Sequence, residues 1–294
     1  MQGVIMKALS GFYYVSADAE VYTCRGRGRL RLDGSSPLVG DRVEFERNAD
    51  GSGTVTGILP RRNSFVRPAV ANIDLMVIVA AAVNPVSDPF LLDRMAALAE
   101  KHGCEVLICI NKADLNPGDK LFDIYSRSGF RVIRTSAVTG EGLGELAEAL
   151  RGVTAAFSGN SGVGKSSLLN ALEPGLSLLT AEVSEKLGRG KHTTRHVQLF
   201  PLSDGGHLAD TPGFGSFDVE QMEPLRKDEL QDCFREFAPY LGKCRFNDCA
   251  HLKEPDCAVL NALQKGDILR SRHDSYVRLY EQAAKTPDWA LKIE

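Results

Sequence analysis

Short runs of alternating apolar and polar residues fill the first 68 positions of the chain, and Gly, Asp, Asn and Pro separate them. Such alternation is typical of half-buried β-strands. Five strands are predicted, at residues 11–15, 21–24, 30–32, 41–45 and 53–58. Five short strands in so short a segment predict a small β-barrel of the OB or SH3 kind, followed by a linker at 61–68.

The pattern changes at residue 73 to apolar strands separated by amphipathic helices. Strands are predicted at 73–83, 104–110, 130–135 and 154–158, and helices at 89–101, 142–150 and 165–172. This alternation is typical of a parallel sheet covered on both faces. Beyond residue 223, helices are predicted at 225–240, 258–263 and 271–285, around a cysteine-rich loop. The fold class is therefore multi-domain α/β, with domains at 1–68, 69–223 and 224–294.

Composition and charge narrow the classes of protein. The chain has 294 residues, of which 43% are hydrophobic and 25% charged, with a net charge of −3. These are ordinary globular proportions. The longest apolar run, 75–83, is far shorter than the roughly 20 residues that span a bilayer, so no membrane partner is expected. Seven cysteines without a secretion signal favour reduced thiols, and a metal, in the cytoplasm.

A phosphate-binding loop is predicted at the end of the strand at 154–158. The motif G-x-x-x-x-G-K-[ST] is formed by Gly159, Asn160, Ser161, Gly162, Val163, Gly164, Lys165 and Ser166, with Ser167 following. Its glycines allow backbone N–H groups to converge on phosphates at a helix N-terminus. Lys165 is expected to reach the β- and γ-phosphates, and the Ser166 hydroxyl to hold Mg²⁺.

A guanine-reading motif, N-K-x-D, follows the predicted strand at 104–110. Asp114 can accept hydrogen bonds from guanine, Asn111 would brace the loop, and Lys112 would stack on the base. Two further motifs support this reading. A backbone N–H of the Ser136-Ala137 turn could reach the guanine O6, and D-x-x-G, Asp210 to Gly213, would contact Mg²⁺ and the γ-phosphate.

The order of these motifs is unusual. In most GTPases the phosphate loop comes first and N-K-x-D comes last, so this chain is expected to be circularly permuted. A glycine-rich loop at 187–195 is predicted to be a switch, in which Thr193 or Thr194 would ligate Mg²⁺. Phe214 occupies the position where Ras-like enzymes place a water-orienting Gln, so His192 is the candidate catalytic residue.

Two further groups of residues are candidate sites. Cys244, Cys249, His251 and Cys257 form a closed Cys₃His set, which predicts one structural Zn²⁺. Arg25, Arg27, Arg29 and Arg31 alternate with other residues, so a strand would place all four on one face. That face is a candidate RNA-binding surface, and a solvated basic strand is the alternative.

The sequence resembles the ribosome small-subunit-dependent GTPase A family of bacteria. The resemblance rests on the five motifs in this order, at 111–114, 159–166, 188–195, 210–213 and 244–257, and it covers nearly the whole chain. It implies an N-terminal OB-fold barrel, a circularly permuted P-loop GTPase domain and a C-terminal helical zinc-binding domain. It assigns the nucleotide, switch and zinc roles to the residues named above.

The same resemblance implies a GTPase that is stimulated by the 30S subunit, binds 16S rRNA and acts in late 30S maturation. A monomer is the expected oligomeric state. Two alternatives stay open at this point. One is a metabolic P-loop kinase or ATPase, and the other is a nucleic-acid-binding module with a degenerate nucleotide site.

Overall fold

The computed structural model describes residues 1–27, 36–66, 68–174, 197–210 and 223–285. Within those ranges, no helix combines the length and the apolar character needed to cross a bilayer.

The N-terminal part is a closed five-stranded barrel. Its strands are β1 (Gln2–Leu9), β2 (Phe12–Ala17), β3 (Glu20–Gly26), β4 (Arg42–Arg47) and β5 (Gly53–Ile58). They are hydrogen-bonded in the order β1-β2-β3-β5-β4, and β4 pairs with β1 to close the barrel. Only the β3–β5 pairing is parallel. This is the connectivity of the OB fold rather than a meander.

The strand β1 was not predicted from the sequence. Its alternation is interrupted by a bulge between Ile5 and Lys7, which turns both Ile5 and Met6 towards the core. The predicted strand at 30–32 lies outside the described residues. The barrel has five strands because β1 is present in addition to the four predicted strands that the structure describes.

The segment predicted as a linker is instead a short sheet. Strands β6 (Ser64–Phe65) and β7 (Val70–Ala71) pair antiparallel. Asn72 Nδ2 donates to the Gly40 carbonyl of the barrel at 2.9 Å, and Asn63 Nδ2 donates to the Ile73 carbonyl at 2.8 Å. These amides join the short sheet to both flanking domains, which is why the segment is not extended and solvated.

The central domain is an α/β sheet. Its strands are β8 (Leu75–Ala81), β9 (Glu105–Asn111), β10 (Arg131–Arg134), β11 (Thr154–Ser158), β12 (Gln198–Pro201) and β13 (His207–Asp210). Its helices are α1 (Pro89–Lys101), α2 (Asp119–Arg127), α3 (Leu143–Leu150) and α4 (Lys165–Leu172). The predicted elements are confirmed within a few residues at their ends, whereas α2, β12 and β13 were not predicted.

The order of the strands defines where a ligand binds. The sheet runs β10-β9-β8-β11-β13-β12, with all strands parallel except β12. From β8 the chain builds outward to β10, whereas β11 and the strands after it lie on the other side of β8, with β12 at the edge and β13 between β11 and β12. The strand order therefore reverses between β8 and β11, and ligands of open α/β sheets bind at the carboxyl ends of the strands at that point.

The barrel and the central sheet are continuous. Strand β12 pairs antiparallel with β1, where Gln198 lies opposite Lys7, so that eleven strands form one sheet.

The C-terminal part contains α5 (Ala258–Lys265) and α6 (Arg270–Lys285), as predicted. The prediction of a helix at 225–240 was wrong. Two 3₁₀ turns, Leu230–Cys233 and Arg235–Phe237, take its place, and Phe234 between them is extended. The rings of Phe234 and Phe237 pack at 5.3 and 4.9 Å from that of Tyr276. This tertiary packing outweighs the helical spacing of the apolar residues.

Candidate nucleotide site and metal centre

The phosphate loop lies where the strand order reverses. Residues 159–164 connect the buried end of β11 to the first turn of α4, which begins at Lys165. Ser166 lies in that first turn, beside the backbone N–H groups of a helix N-terminus. The strand–loop–helix context that the motif requires is therefore present.

The loop glycines are required by close backbone approach. A Cβ on Gly159 would lie 2.3 Å from the Val79 carbonyl oxygen, and one on Gly164 would lie 2.3 Å from Asn111 Nδ2. Both glycines also have positive φ, at 147° and 97°. Side chains at these positions would push the loop away from β8 and β9, so the cradle depends on glycine.

Lys165 extends back across the loop. Its Nζ donates to the carbonyls of Gly159 at 2.6 Å and Asn160 at 2.8 Å. Burial lowers the pKa of the Lys165 ammonium to about 8, because removal from water disfavours the charged form. An anionic phosphate beside it would reverse that shift.

The guanine motif is hydrogen-bonded directly to the phosphate loop. Asn111 Nδ2 donates to the Val163 carbonyl at 2.8 Å, and Lys112 Nζ donates to the Gly162 carbonyl at 2.8 Å. Asn111 is buried, and its Oδ1 accepts from the Thr135 hydroxyl at 3.3 Å. Two motifs about fifty residues apart in sequence therefore form one unit at the carboxyl edge of the sheet.

The remaining residues of the guanine motifs lie on the same edge. Asp114 is exposed in the loop after β9, and Ser136 is buried in the loop after β10. The Ser136 hydroxyl accepts from the backbone N–H groups of Val138 and Thr139, which shapes the turn that includes Ala137. These loops lie next to one another because β9 and β10 are neighbours.

Several predicted site residues lie outside the described residues. They are His192, Thr193, Thr194, Gly213, Arg29 and Arg31. Asp210 is described as the last residue of β13, which pairs with β11, so its backbone lies at the same edge as the phosphate loop.

The four predicted metal ligands converge in the C-terminal part. The ligand atoms of Cys244, Cys249, His251 and Cys257 all lie within 4.8 Å of one another. The sulfurs of Cys244 and Cys257 are 3.8 Å apart, and His251 Nδ1 is 3.3 Å from Cys257 Sγ. A tetrahedral zinc site with Zn–S bonds of about 2.3 Å separates two sulfurs by about 3.8 Å. The donor set and its spacing therefore fit a tetrahedral metal ion.

The surroundings of the cluster orient the ligands. His251 Nε2 lies 3.0 Å from Gln231 Oε1, an atom that can only accept, so Nδ1 is left unprotonated and directed at the sulfurs. Burial lowers the pKa of His251, which keeps the imidazole in the neutral form that binds metals. The Leu260 N–H donates to Cys257 Sγ at 3.5 Å and stabilises a thiolate there.

The candidate RNA-binding face is described in part. Arg25 is exposed in β3, and its guanidinium lies 4.7 Å from the centre of the Phe12 ring. Arg27 is exposed just beyond the end of β3. On the same outer face, the Lys7 ammonium lies 5.9 Å from the centre of the Tyr14 ring. Cations and aromatic rings therefore share this surface.

Among the described residues, some that contact the sites were not predicted. The Asn84 carbonyl accepts from Lys112 Nζ, Thr135 binds Asn111, and Gln231 binds His251. The Asn84-Pro85 dipeptide is a turn signal that could have marked the first of these loops. Thr135 directly precedes Ser136, and Gln231 carries no signal in the sequence.

The fold and the site together define a class of protein. A phosphate loop at the reversal point of a parallel sheet, joined to N-K-x-D from an earlier strand, is the arrangement of a circularly permuted P-loop GTPase. A family model described as RsgA GTPase matches residues 58–220, and one described as RsgA N-terminal domain matches residues 2–55. The chain belongs to the RsgA GTPase family and is a GTP-hydrolysing enzyme.

Curated relatives match over nearly their whole length. The small ribosomal subunit biogenesis GTPase RsgA of Caldanaerobacter subterraneus is 44% identical over 285 residues, which cover 96% of this chain and 95% of the relative. The protein of the same name from Geobacillus kaustophilus is 47% identical over 282 residues, covering 94% and 95%.

Solved structures share the fold. The crystal structure of YjeQ from Thermotoga maritima is 35% identical, with a TM-score of 0.84, and the match covers 97% of this chain and 99% of that one. A structure described as YloQ, a circularly permuted GTPase, is 36% identical, with a TM-score of 0.79, covering 97% and 96%.

The pKa of Lys165 predicts how nucleotide affinity depends on pH. A bound phosphate raises the pKa of the ammonium above its value of about 8 in the protein alone, so binding above pH 8 takes up a proton. We expect GDP affinity to change little near pH 7 and to fall above pH 8, by at most about tenfold per unit. Calorimetric titrations at pH 7 to 9, in two buffers of different protonation enthalpy, measure the affinity and the proton uptake. Affinity independent of pH, or proton release, would contradict this assignment.

Proposed function

We propose that the protein binds GTP at the carboxyl edge of the central sheet and hydrolyses it as a factor in biogenesis of the small ribosomal subunit. The observation that carries the nucleotide part is the pair of hydrogen bonds from Asn111 and Lys112 to the phosphate loop. A kinase or ATPase would have no need of a guanine-type motif at this place. The ribosomal part rests on the names of the relatives, which match over nearly the whole chain.

Different residues of the site bind the guanine base and the phosphates. Asp114 accepts from the guanine N1–H and exocyclic amine, while Lys112 covers the ring and the Ser136-Ala137 turn contacts O6. Residues 159–164, Lys165 and the helix N-terminus at Ser166 and Ser167 bind the phosphates. Such a pocket rejects adenine because adenine leaves the Asp114 carboxylate unpaired.

Mg²⁺ would be held by the Ser166 hydroxyl and by Asp210, with Thr193 or Thr194 completing the set in the triphosphate state. Mg²⁺ neutralises charge that develops on the phosphates during hydrolysis. We propose His192 as the residue that orients water, because Phe214 at the position after D-x-x-G has no polar atom for that task.

The flanking domains would connect this chemistry to the ribosome. We propose a division into an RNA-binding barrel (1–68), a GTPase domain (69–223) and a zinc-binding domain (224–294). The outer face of the barrel, with Arg25, Arg27, Arg29 and Arg31, would bind 16S rRNA of the 30S subunit. We further propose that the protein acts as a cytoplasmic monomer without a membrane partner, late in maturation of the subunit.

The ribosomal assignment is tested by GTP hydrolysis measured with and without purified 30S or 50S subunits. We expect slow hydrolysis by the protein alone and at least about tenfold stimulation by 30S subunits only, since no glutamine follows D-x-x-G to orient the water. Lys165→Ala should abolish both activities, while Lys120→Ala, an exposed lysine on α2, should leave them unchanged. A rate of GTP hydrolysis that neither subunit changes would refute the ribosomal partner, but it would not refute GTP hydrolysis at this site.

We propose Zn²⁺ as the metal of the Cys₃His cluster. The set is closed, with four protein ligands and no place for substrate, so its role is to stabilise the C-terminal part. Metal analysis of the purified protein is expected to give one zinc per chain. Cys257→Ala should remove the zinc and lower the melting temperature, because metal-binding energy is folding energy. Cys24→Ala, at a buried cysteine of the barrel, should retain the zinc. Full zinc content in Cys257→Ala would refute the ligand set.

A further inference from the structure

The loop between β8 and α1, residues 82–88, contacts both parts of the nucleotide site. The Asn84 carbonyl accepts a hydrogen bond from Lys112 Nζ. The Pro85 ring borders the phosphate loop, since its Cδ lies 3.3 Å from where a Cβ on Gly162 would stand. The ammonium of Lys112 is thus held between two carbonyls, one from this loop and one from the phosphate loop.

The same loop is closed onto the end of β8 and leads directly into α1. Ser87 exchanges two hydrogen bonds with Ala81, each of 2.9 Å, and is buried. Asp88 caps α1 by accepting from the Phe90 N–H at 3.0 Å. The cap of α1 is thus the residue next to the Ser87–Ala81 closure, so a displacement of α1 pulls on the loop that carries the Asn84 carbonyl.

The C-terminal domain also packs against helix α1. Asp93, fully buried on α1, accepts from Arg272 Nη1 of α6 at 2.6 Å and from the Tyr125 hydroxyl at 2.9 Å. Arg272 is itself fully buried and donates through Nε and Nη2 to Glu236 at 2.6 and 3.1 Å. Further towards the end of α1, Glu100 accepts from Arg235 Nε at 2.8 Å.

The buried pair is sensitive to the loss of either partner. Asp93 Oδ2 has no hydrogen-bond partner among the described residues, so the carboxylate depends on what Oδ1 receives from Arg272 and Tyr125. Removing one member of a buried ion pair leaves an uncompensated charge and is strongly destabilising, so the loss of Arg272 favours other positions of Asp93 and of α1. Asp93 lies five residues after Asp88, about 7.5 Å along the helix axis, so such a movement reaches the 82–88 loop.

We propose that Arg272 of the C-terminal domain is a positioning residue for the guanine site, acting through Asp93, α1 and the Asn84 carbonyl on Lys112. Docking of the C-terminal domain and binding of guanine nucleotide are then thermodynamically coupled, and each favours the other. This link does not run through the segment after D-x-x-G. It rests on the proposed function in one respect, the role of Lys112 at the guanine base.

The test is a double-mutant cycle on GDP affinity in the full-length, zinc-loaded protein. Arg272→Met is expected to weaken GDP binding about fivefold or more, the lower range of typical coupling. The matched control is Arg235→Met, which removes the other arginine pair between the C-terminal domain and α1 but lies far from the loop; it should change affinity less than about twofold. In the Lys112→Met background, Arg272→Met should add less than about twofold, because the group that it positions is gone.

The outcomes separate the two proposals. Equal effects of Arg272→Met with and without Lys112, or equal effects of Arg272→Met and Arg235→Met, overturn the link while leaving the guanine site standing. Unchanged GDP affinity in Lys112→Met overturns the proposed role of Lys112 itself.

Circular dichroism and zinc content establish that each variant is folded. If Arg272→Met does not fold, Arg272→Lys replaces it, since lysine keeps the charge but cannot bridge Asp93 and Glu236. That variant should give about a threefold loss that again vanishes without Lys112, and a loss of less than about twofold would overturn the link.

Discussion

The hydrogen bonds from Asn111 and Lys112 to the phosphate loop are the interactions on which the rest of the site depends. They join loops from β9 and β11, which are separated in the sheet by β8 alone. Asn111 is buried, so its amide must find a partner, and an unpaired buried amide costs about 1–3 kcal/mol. The phosphate loop supplies that partner at Val163 and is thereby held directly against the guanine motif.

The permuted order of the motifs is compatible with this site because binding depends on the order of strands in space. Circular permutation instead changes the positions of the domain's N- and C-terminal ends, and these positions determine where the flanking domains are attached. The barrel is attached through the pairing of β1 with β12, the antiparallel edge strand. The C-terminal domain is attached through α1, with Arg272 and Asp93 buried between them. The barrel is thus held by the edge strand of the central sheet, and the C-terminal domain by the helix that follows the 82–88 loop.

Prediction from the sequence succeeded where the signal is local. The helix at 89–101 was predicted to the residue from the proline that opens it, and the structure adds the cap by Asp88. The strand at 154–158 and the helix at 165–172 bracket a motif with strict geometry, and their bounds are also confirmed. The four metal ligands could be predicted because they lie close together in the sequence, and their ligand atoms do converge in the structure.

The predictions that were missed or wrong share a cause. They concern tertiary contacts that leave no signal in the local sequence. A bulge hid β1, and the packing of Phe234 and Phe237 on Tyr276 replaced a predicted helix with two 3₁₀ turns. Gln231 is placed beside His251, and the Asn84 carbonyl beside Lys112, only by the folded chain. Contacts between distant residues carry no period and no motif, so they become visible only in the structure.

We propose that Asp114 selects guanine in this circularly permuted site. It is tested most directly by measuring the dissociation constants of GTP and XTP for the protein and for Asp114→Asn. Xanthine carries an oxygen where guanine carries the exocyclic amine, and the amide of asparagine can donate to that oxygen. We expect the wild type to prefer GTP by at least about a hundredfold, and Asp114→Asn to reverse this preference. An unchanged preference for GTP in Asp114→Asn would contradict it.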